Sequence, residues 1–258
     1  MGTVSTHNEQ KITTFLNRHK PGTVCLPQWL ESLGISRDLQ KRYRLSGWLE
    51  PVGRGAFKRP TDEVQWQGGL YTLQTQAALL VHAGAITALT LQGLAHYLRL
   101  GATRVFLFSP PKTPLPPWFR TYHWGVTVQH IQTSILPDSL GLIEHEEKTF
   151  AIRISSAERA MLESLYLAPD ELDLVECFQM MEGLANLRPK IVQELLQACT
   201  SVKANRLFLY MAEKAGHQWF GLIDTKKINL GEGHRRLADD GVYVGKYKLT
   251  VPKALAVL

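Results

Sequence analysis

The chain has 258 residues, of which 45% are apolar and 20% charged, with a formal net charge of +6. Such a length predicts two domains with enough apolar side chains for a sizeable core. No run approaches the ~18 uncharged apolar residues of a membrane span, and the opening MGTVSTHNEQK lacks the basic-then-apolar order of a secretion signal. Met1-Gly2 with Thr6 matches a myristoylation pattern only weakly.

Cys25, Cys177 and Cys199 are odd in number and far apart, which excludes a disulfide framework and a paired-thiol metal site. Buried thiols in a reducing, cytoplasmic setting are the expectation. The charge is unevenly placed. Residues 1–60 carry ten Lys and Arg against four Asp and Glu, whereas residues 61–258 carry nineteen of each. The whole excess therefore sits in the first quarter, which suggests a local surface for a polyanion.

In chain order, STHNEQKITTFLNRH places Ile12, Phe15 and Leu16 on one helical stripe that Pro21-Gly22 ends. LPQWLESLG predicts a short helix with Pro27 in its first turn, Gly34 at its close, and Trp29, Leu30 and Leu33 turned inward. Ser36 is a suitable N-cap for a third helix. Within that helix Ile35, Leu39, Tyr43 and Ser46 share a core-facing side, and Arg37, Gln40, Lys41 and Arg44 line another stripe. Two short helices joined by a Gly-containing turn predict a helix-turn-helix, with the second helix sized for the major groove. There Arg suits guanine and Gln suits adenine.

WLEPV and AFKRP then predict two strands around Gly53-Arg54-Gly55, a wing with Arg54 at its tip and Lys58 and Arg59 on its return strand. Trp48 is expected as the apolar plug beneath it.

Further on, helical patterns occupy roughly 72–82 and 87–99, separated by Gly84 and ended by Gly101. His82 and His96 are expected on helix surfaces or packed with a satisfied hydrogen bond. TRVFLFSPPKTPLPPWF reads as a strand followed by a Pro-rich connector that cannot be helical. GVTVQHIQT, LIEHEEKTFAIRIS, KINLG and YVGKYKLTV are strand candidates. Between them SSAERAMLESLYL, DELDLVECFQMM, PKIVQELLQACT and KANRLFLYMAEKAG read as helices, the first opened by a Ser155-x-x-Glu158 capping box. The fold class is therefore α+β: an N-terminal winged helix-turn-helix, then a larger domain with a small sheet and about four helices.

Hydrolase, zinc-protease and P-loop motifs are absent. His123 and His130, seven apart, suit no common zinc pattern, and Gly231-Glu232-Gly233 is a turn. Pro137-Asp138 with Glu146-Glu147-Lys148 spells a short form of the PD…E-x-K nuclease pattern, in which carboxylates hold Mg²⁺ and a Lys positions water. Chance matches to so short a pattern are frequent, and an exposed hairpin turn is the better reading.

The winged helix, followed by LAHYLRLGATRVFLFSPPKTPLPPWF, SSAERAMLESLYL and VKANRLFLYMAEKAGHQWF, resembles the AbiEi antitoxins, transcriptional regulators of type IV toxin–antitoxin or abortive-infection systems. The resemblance implies an N-terminal DNA-binding domain over residues 1–95 and an antitoxin domain over 96–258. It implies binding to inverted repeats of double-stranded DNA in the chain's own promoter, and repression. It also implies that a nucleotidyltransferase-type toxin is counteracted without a stable complex, and that neither catalysis nor a cofactor is involved. The family's DNA contacts match Ser36, Arg37, Gln40, Lys41, Arg44 and Arg54. For its basic antitoxin surface the candidates here are Lys203, Arg206, Lys214, Lys226, Lys227, Arg235 and Arg236. Two alternatives stay open: a Mg²⁺-dependent nuclease using Asp138, Glu146 and Lys148, and a winged-helix regulator that senses a ligand.

Overall fold

Helix α1 (Thr3–Arg18) opens the computed structural model, which describes residues 3–95 and 104–257, the first seven as backbone alone. Helices α2 (Pro27–Ser32) and α3 (Arg37–Leu45) follow, with the Leu39 N–H donating to the Ser36 hydroxyl oxygen at 3.4 Å, as an N-cap requires. Strands β1 (Glu50–Pro51) and β2 (Phe57–Lys58) form an antiparallel hairpin, and Cys25 bridges to Phe57 on its other side. Phe15, Leu30, Ile35, Leu39, Tyr43, Leu49 and Phe57 bury together, with Ile12, Leu16, Trp29 and Leu33 at the margin. The three apolar stripes thus converge on one small core. Each buried side chain contributes roughly 1.5–3 kcal/mol before chain entropy is charged against it. Ser46 departs from its expected place: it is exposed at the end of α3, its hydroxyl bonded to the Arg42 carbonyl at 2.9 Å.

The stretch after the wing folds differently from its helical pattern. Helix α4 (Trp66–Thr75) starts earlier than expected and stops at Thr75. The chain reverses through Ala78, at φ 51°, and enters strand β3 (His82–Ala83) before helix α5 (Ala85–Leu91). A short apolar run such as LLVHA satisfies helix and buried strand alike. Here β4 and β7 flank it on both sides, and only the assembled sheet supplies those partners. The second expected helix is also shorter than its pattern: α5 stops at Leu91, where Gly93 at φ 71° turns the chain, and the rest of the pattern beyond residue 95, with His96, lies outside the described residues.

Strand β4 (Arg104–Ser109), helix α6 (Pro117–Thr121), and strands β5 (Thr127–Gln132), β6 (Leu142–Glu146) and β7 (Ala151–Ser155) complete a five-stranded sheet of order β5-β4-β3-β7-β6. β3 runs parallel to β7 and antiparallel to β4; β4 and β5 are parallel, β6 and β7 antiparallel. β4 is buried from Val105 to Ser109, the signature of a strand covered on both faces. Helix α7 (Ala157–Leu167) packs against α5 and against helices α8 (Leu174–Gly183), α9 (Pro189–Ala198) and α10 (Val202–Lys214). A second sheet of order β8-β10-β9 joins strands β8 (Arg235–Arg236), β9 (Gly241–Val244) and β10 (Leu249–Pro252), and helix α11 (Lys253–Val257) ends the described chain.

Four local expectations are corrected. The Pro-rich connector ends in helix α6, because Pro117 stands in its first turn, where a missing N–H and a fixed φ suit a helix. KINLG forms no strand: a 3-10 turn covers Thr225–Lys227, and the next carbonyls are taken by side chains, Asn229 O by Asn205 and Leu230 O by Arg206. YVGKYKLTV is two antiparallel strands separated by a 3-10 turn at Gly245–Tyr247. The capping box is not made. Ser156 occupies the N-cap of α7 without a side-chain bond, the Ser155 hydroxyl donates to Glu163 at 2.7 Å, and Glu158 accepts from the Arg188 guanidinium at 2.9 and 3.0 Å.

The two bodies share packing surfaces. β3 and α5 precede residue 95 in sequence, yet β3 is the middle strand of the five-stranded sheet. The Thr149 hydroxyl donates to Pro21 O at 2.7 Å, and the Tyr71 and Phe150 rings lie 5.1 Å apart. Among the described residues no helix is long and apolar enough to cross a membrane.

Candidate nucleic-acid interface

Helix α3 presents two sides. Leu39, Gln40 and Tyr43 face the core, and Arg37, Asp38, Lys41, Arg42, Arg44 and Leu45 are exposed. Gln40 is the first correction. It is 3% exposed, and its amide donates to the carbonyls of Pro27 and Ile35, each at 3.0 Å, so it ties α3 to α2 and has no donor left for an adenine. Helical spacing puts it beside the cations because both stripes are compatible with one repeat; burial separates them. Ser36 is spent on capping. Arg37 is exposed but paired with Glu31 of α2, an ion pair in solvent that contributes about 0.2–1 kcal/mol.

Lys41 and Arg42 are exposed and in no ion pair among the described residues. Arg42 was missed by the i, i+3, i+4 spacing that picked out its neighbours. The Arg44 guanidinium lies 5.7 Å from the centre of the Phe57 ring, at the joint between α3 and the wing. Such a cation–π contact fixes its direction while leaving its N–H groups outward.

Gly53 and Gly55 adopt φ +83° and +85°, so the wing tip turns as its glycines allow and Arg54 projects exposed between them. A Cβ on Gly53 would lie 3.2 Å from the Trp118 Cα, which places the wing directly against α6 of the second body. The return strand is less open than expected. Lys58 has a side chain only 14% exposed, 3.4 Å from Glu50 and bonded to Asp62 O at 3.3 Å; Arg59 lies 3.7 Å from Asp62. Trp48 is also corrected: it is 47% exposed at the end of α3, and Leu49, Val52 and Ala56 are the residues buried around the hairpin.

The candidate basic residues of the second body fall into two groups. Arg206 is 1% exposed and donates to the carbonyls of Leu230 and Gly233 at 2.6 Å and of Lys248 at 3.2 Å; it staples α10 to the small sheet. Lys203 donates to the terminal carbonyls of α7, Tyr166 O at 2.8 Å and Ala168 O, and burial lowers its pKa. Lys214 bonds Ala256 O at 3.1 Å. These three serve the fold. Lys226, Lys227, Arg235 and Arg236 are exposed, Lys227 being paired with Asp224 at 3.2 Å and Arg236 standing 3.9 Å from Asp239.

No metal centre assembles from the nuclease-like residues. Asp138 is exposed near Arg159, whereas Glu146 sits at the far end of β6, about 13 Å of strand beyond Leu142, and Lys148 is exposed in the turn that follows. Among the described residues no cluster of His, Cys, Asp and Glu has the makings of a metal site. His130 bonds the Ser109 hydroxyl at 2.8 Å, and His82 packs with its bond satisfied by Glu163. All three cysteines are buried, and burial pushes their thiols up, Cys177 to about 12 and Cys199 to about 11, so they stay protonated.

Comparison with known families supplies the context for this geometry. A family profile described as a transcriptional regulator, the AbiEi antitoxin of a type IV toxin–antitoxin system, matches residues 102–252. A second, described as the N-terminal domain of the AbiEi antitoxin transcriptional regulator, matches residues 8–100. No curated protein matches the chain. Among solved structures it is similar to the RV2827C protein from Mycobacterium tuberculosis. The TM-score is 0.61 at 16% identity, over 94% of this chain and 90% of that one, a likeness of fold.

Proposed function

The chain belongs to the AbiEi antitoxin family of type IV toxin–antitoxin transcriptional regulators, and we propose that it represses its own operon and counteracts a toxin through separate surfaces. Residues 1–95 bind inverted repeats in double-stranded operator DNA. Residues 96–258 counteract a nucleotidyltransferase-type toxin encoded alongside, in the cytoplasm where both DNA and toxin are found. This division is one of function; the packing boundary differs, because β3 and α5 are built into the second body.

A single arrangement carries the DNA half. Lys41, Arg42, Arg44 and Arg54 are exposed on α3 and the adjoining wing tip, and none is in an ion pair among the described residues. Cations left unpaired on a helix of groove-fitting size neutralise phosphates and release counterions, and Arg or Lys aimed at base edges adds selectivity. The test is fluorescence anisotropy of the purified chain on DNA from upstream of its own gene, at two salt concentrations. Tight binding that weakens with salt, and is lost in a K41A/R42A/R44A variant of unchanged melting temperature, supports the reading; unchanged binding in that variant removes it.

For the antitoxin half, the exposed basic group of Lys226, Lys227, Arg235 and Arg236 is the candidate surface. Co-expression of the neighbouring gene with the full chain tests it: charge removal there should abolish protection while leaving DNA binding intact.

A further inference from the structure

We propose that Leu45 and Trp48 contact the DNA itself, Leu45 against a thymine 5-methyl group in the major groove and Trp48 along the adjoining deoxyribose and phosphate. This rests on α3 being the helix that enters the groove, and it adds an apolar contact selective for base type to a surface so far described by charge alone.

The buried residues of α3 define its direction. With Leu39, Gln40 and Tyr43 inward, a repeat of 3.6 residues puts Lys41 and Leu45 on the opposite side, one turn apart. Leu45 is 80% exposed at the centre of that outward face. A single exposed leucine is ordinary, but this one has company. Beside it runs a shallow groove lined by Leu39, Arg42, Tyr43, Leu45, Ser46 and Trp48. Gly47, at φ +75°, ends the helix in the left-handed region, and the Trp48 N–H reaches back to the Tyr43 carbonyl at 2.8 Å. That closing bond sets Trp48 beside the end of α3, where it lines the same groove as Tyr43 and Leu45. Trp48 is 47% exposed there. A flat apolar ring that carries one N–H donor suits a sugar face with a phosphate beside it.

Charge decides between occupants. Arg42 lines the groove and Lys41 stands one helical turn before Leu45, and a two-fold interface between copies of the chain would bring these cations against one another. A polyanion meets them with complementary charge, and in the major groove of DNA the apolar group on offer is the thymine methyl. Asp38, exposed on the same side, disfavours an approach by phosphate alone and can accept from a cytosine amino group.

The experiment compares the full chain on two duplexes from upstream of its own gene, identical except that one carries deoxyuridine for every thymine and so lacks only the methyl groups. The wild-type chain should bind the deoxyuridine duplex about fourfold more weakly for each thymine methyl that Leu45 touches. L45A should bind both duplexes equally. W48A should weaken binding to both, with W48F restoring part of it, and K41A should weaken both by one factor while keeping the preference for thymine. Both Leu45 and Trp48 are exposed, so melting temperatures should stay at the wild-type value. Equal binding of the two duplexes by the wild type, with K41A still impaired, overturns this proposal and leaves α3 as the DNA helix. Wild-type affinity in both K41A and L45A removes the underlying reading as well. If L45A and W48A convert a DNA-free dimer to a monomer in sedimentation while L45A keeps the thymine preference, the patch is a protomer interface and the proposal fails.

Discussion

Glu163 and His82, 81 positions apart, meet at 3.0 Å in the interior, and that contact ties the middle strand of the sheet to α7. The same carboxylate accepts from Ala85 N at 3.0 Å, the Ser155 hydroxyl at 2.7 Å and Arg159 Nε at 2.7 Å. Arg159 in turn donates to the carbonyls of Pro137 and Leu140, each at 2.6 Å. Ala85 sits at φ 48°, a conformation costly for a residue with a Cβ, and its N–H is thereby held on Glu163. The fully satisfied network makes the strand pairing specific, because any slip leaves a charge unpaired in the core.

Burial by itself would raise the Glu163 pKa; its pairing with His82 and Arg159 outweighs that and holds it near 2. The unfolded chain therefore takes up a proton first, so this stabilisation is complete above about pH 4.5 and drains away as pH falls toward about 2. E163Q should cost about 3–5 kcal/mol at pH 7, since it leaves Arg159 buried without its partner. Urea unfolding at pH 7 and pH 3 measures both effects, and the variant's deficit should narrow at the lower pH. A variant as stable as the wild type at pH 7 contradicts this account.

His19 makes the N-terminal body acid-sensitive in a different window. It packs against Phe15 and Trp29, with ring centres 5.2 and 6.1 Å away, and burial brings its pKa down to about 4. Here the unfolded chain binds its proton near pH 6.5, so stability falls between about pH 6.5 and 4, by about 3 kcal/mol at most. Trp29 fluorescence followed in urea should show that slope. H19Q should flatten it, whatever the variant's stability at pH 7.

Gln40 and Lys41 are sequence neighbours with opposite expected phenotypes. Q40A leaves two buried carbonyls short of a donor and should lower stability by about 1–3 kcal/mol. K41A should leave the melting temperature in place and weaken DNA binding, with a shallower salt dependence. Calorimetry and anisotropy on the pair would expose a reversed assignment at once.

An analogous contrast holds in the second body. R206A uncouples α10 from the small sheet and should cost about 2–4 kcal/mol, since three carbonyls lose a charged donor. R235A/R236A should be neutral in thermal unfolding and, on the proposed antitoxin role of that surface, reduce protection in the co-expression assay. Equal stability losses in the two would mean that Arg235 and Arg236 are structural too.

A fragment starting at residue 96 discards β3 and α5, leaving β4 and β7 with unpaired ladder groups and Glu163 without His82 and Ala85. It should show poor amide protection and aggregate, whereas a fragment starting just before α4 should give dispersed spectra. Good dispersion from the shorter piece would show that the sheet tolerates loss of its middle strand.

Short-range features were legible in the order of residues: helices α1 to α3 and α7 to α10, the Ser36 cap, the glycines of the wing tip, and the concentration of charge in the first sixty positions. These follow from periodicity and backbone preference, which neighbouring residues settle among themselves. Long-range partnership was not legible there and had to await assembly of the whole chain. Packing turned the helix-like run ending at His82 into a central strand, because strand pairing needs a ladder that distant segments supply. It took Gln40 and Arg206 inside, because helical spacing locates a side chain on a stripe without saying which stripe another element covers. And it left Leu45, Trp48 and Arg42 outside together, because what remains uncovered on a surface is known only once everything else has packed.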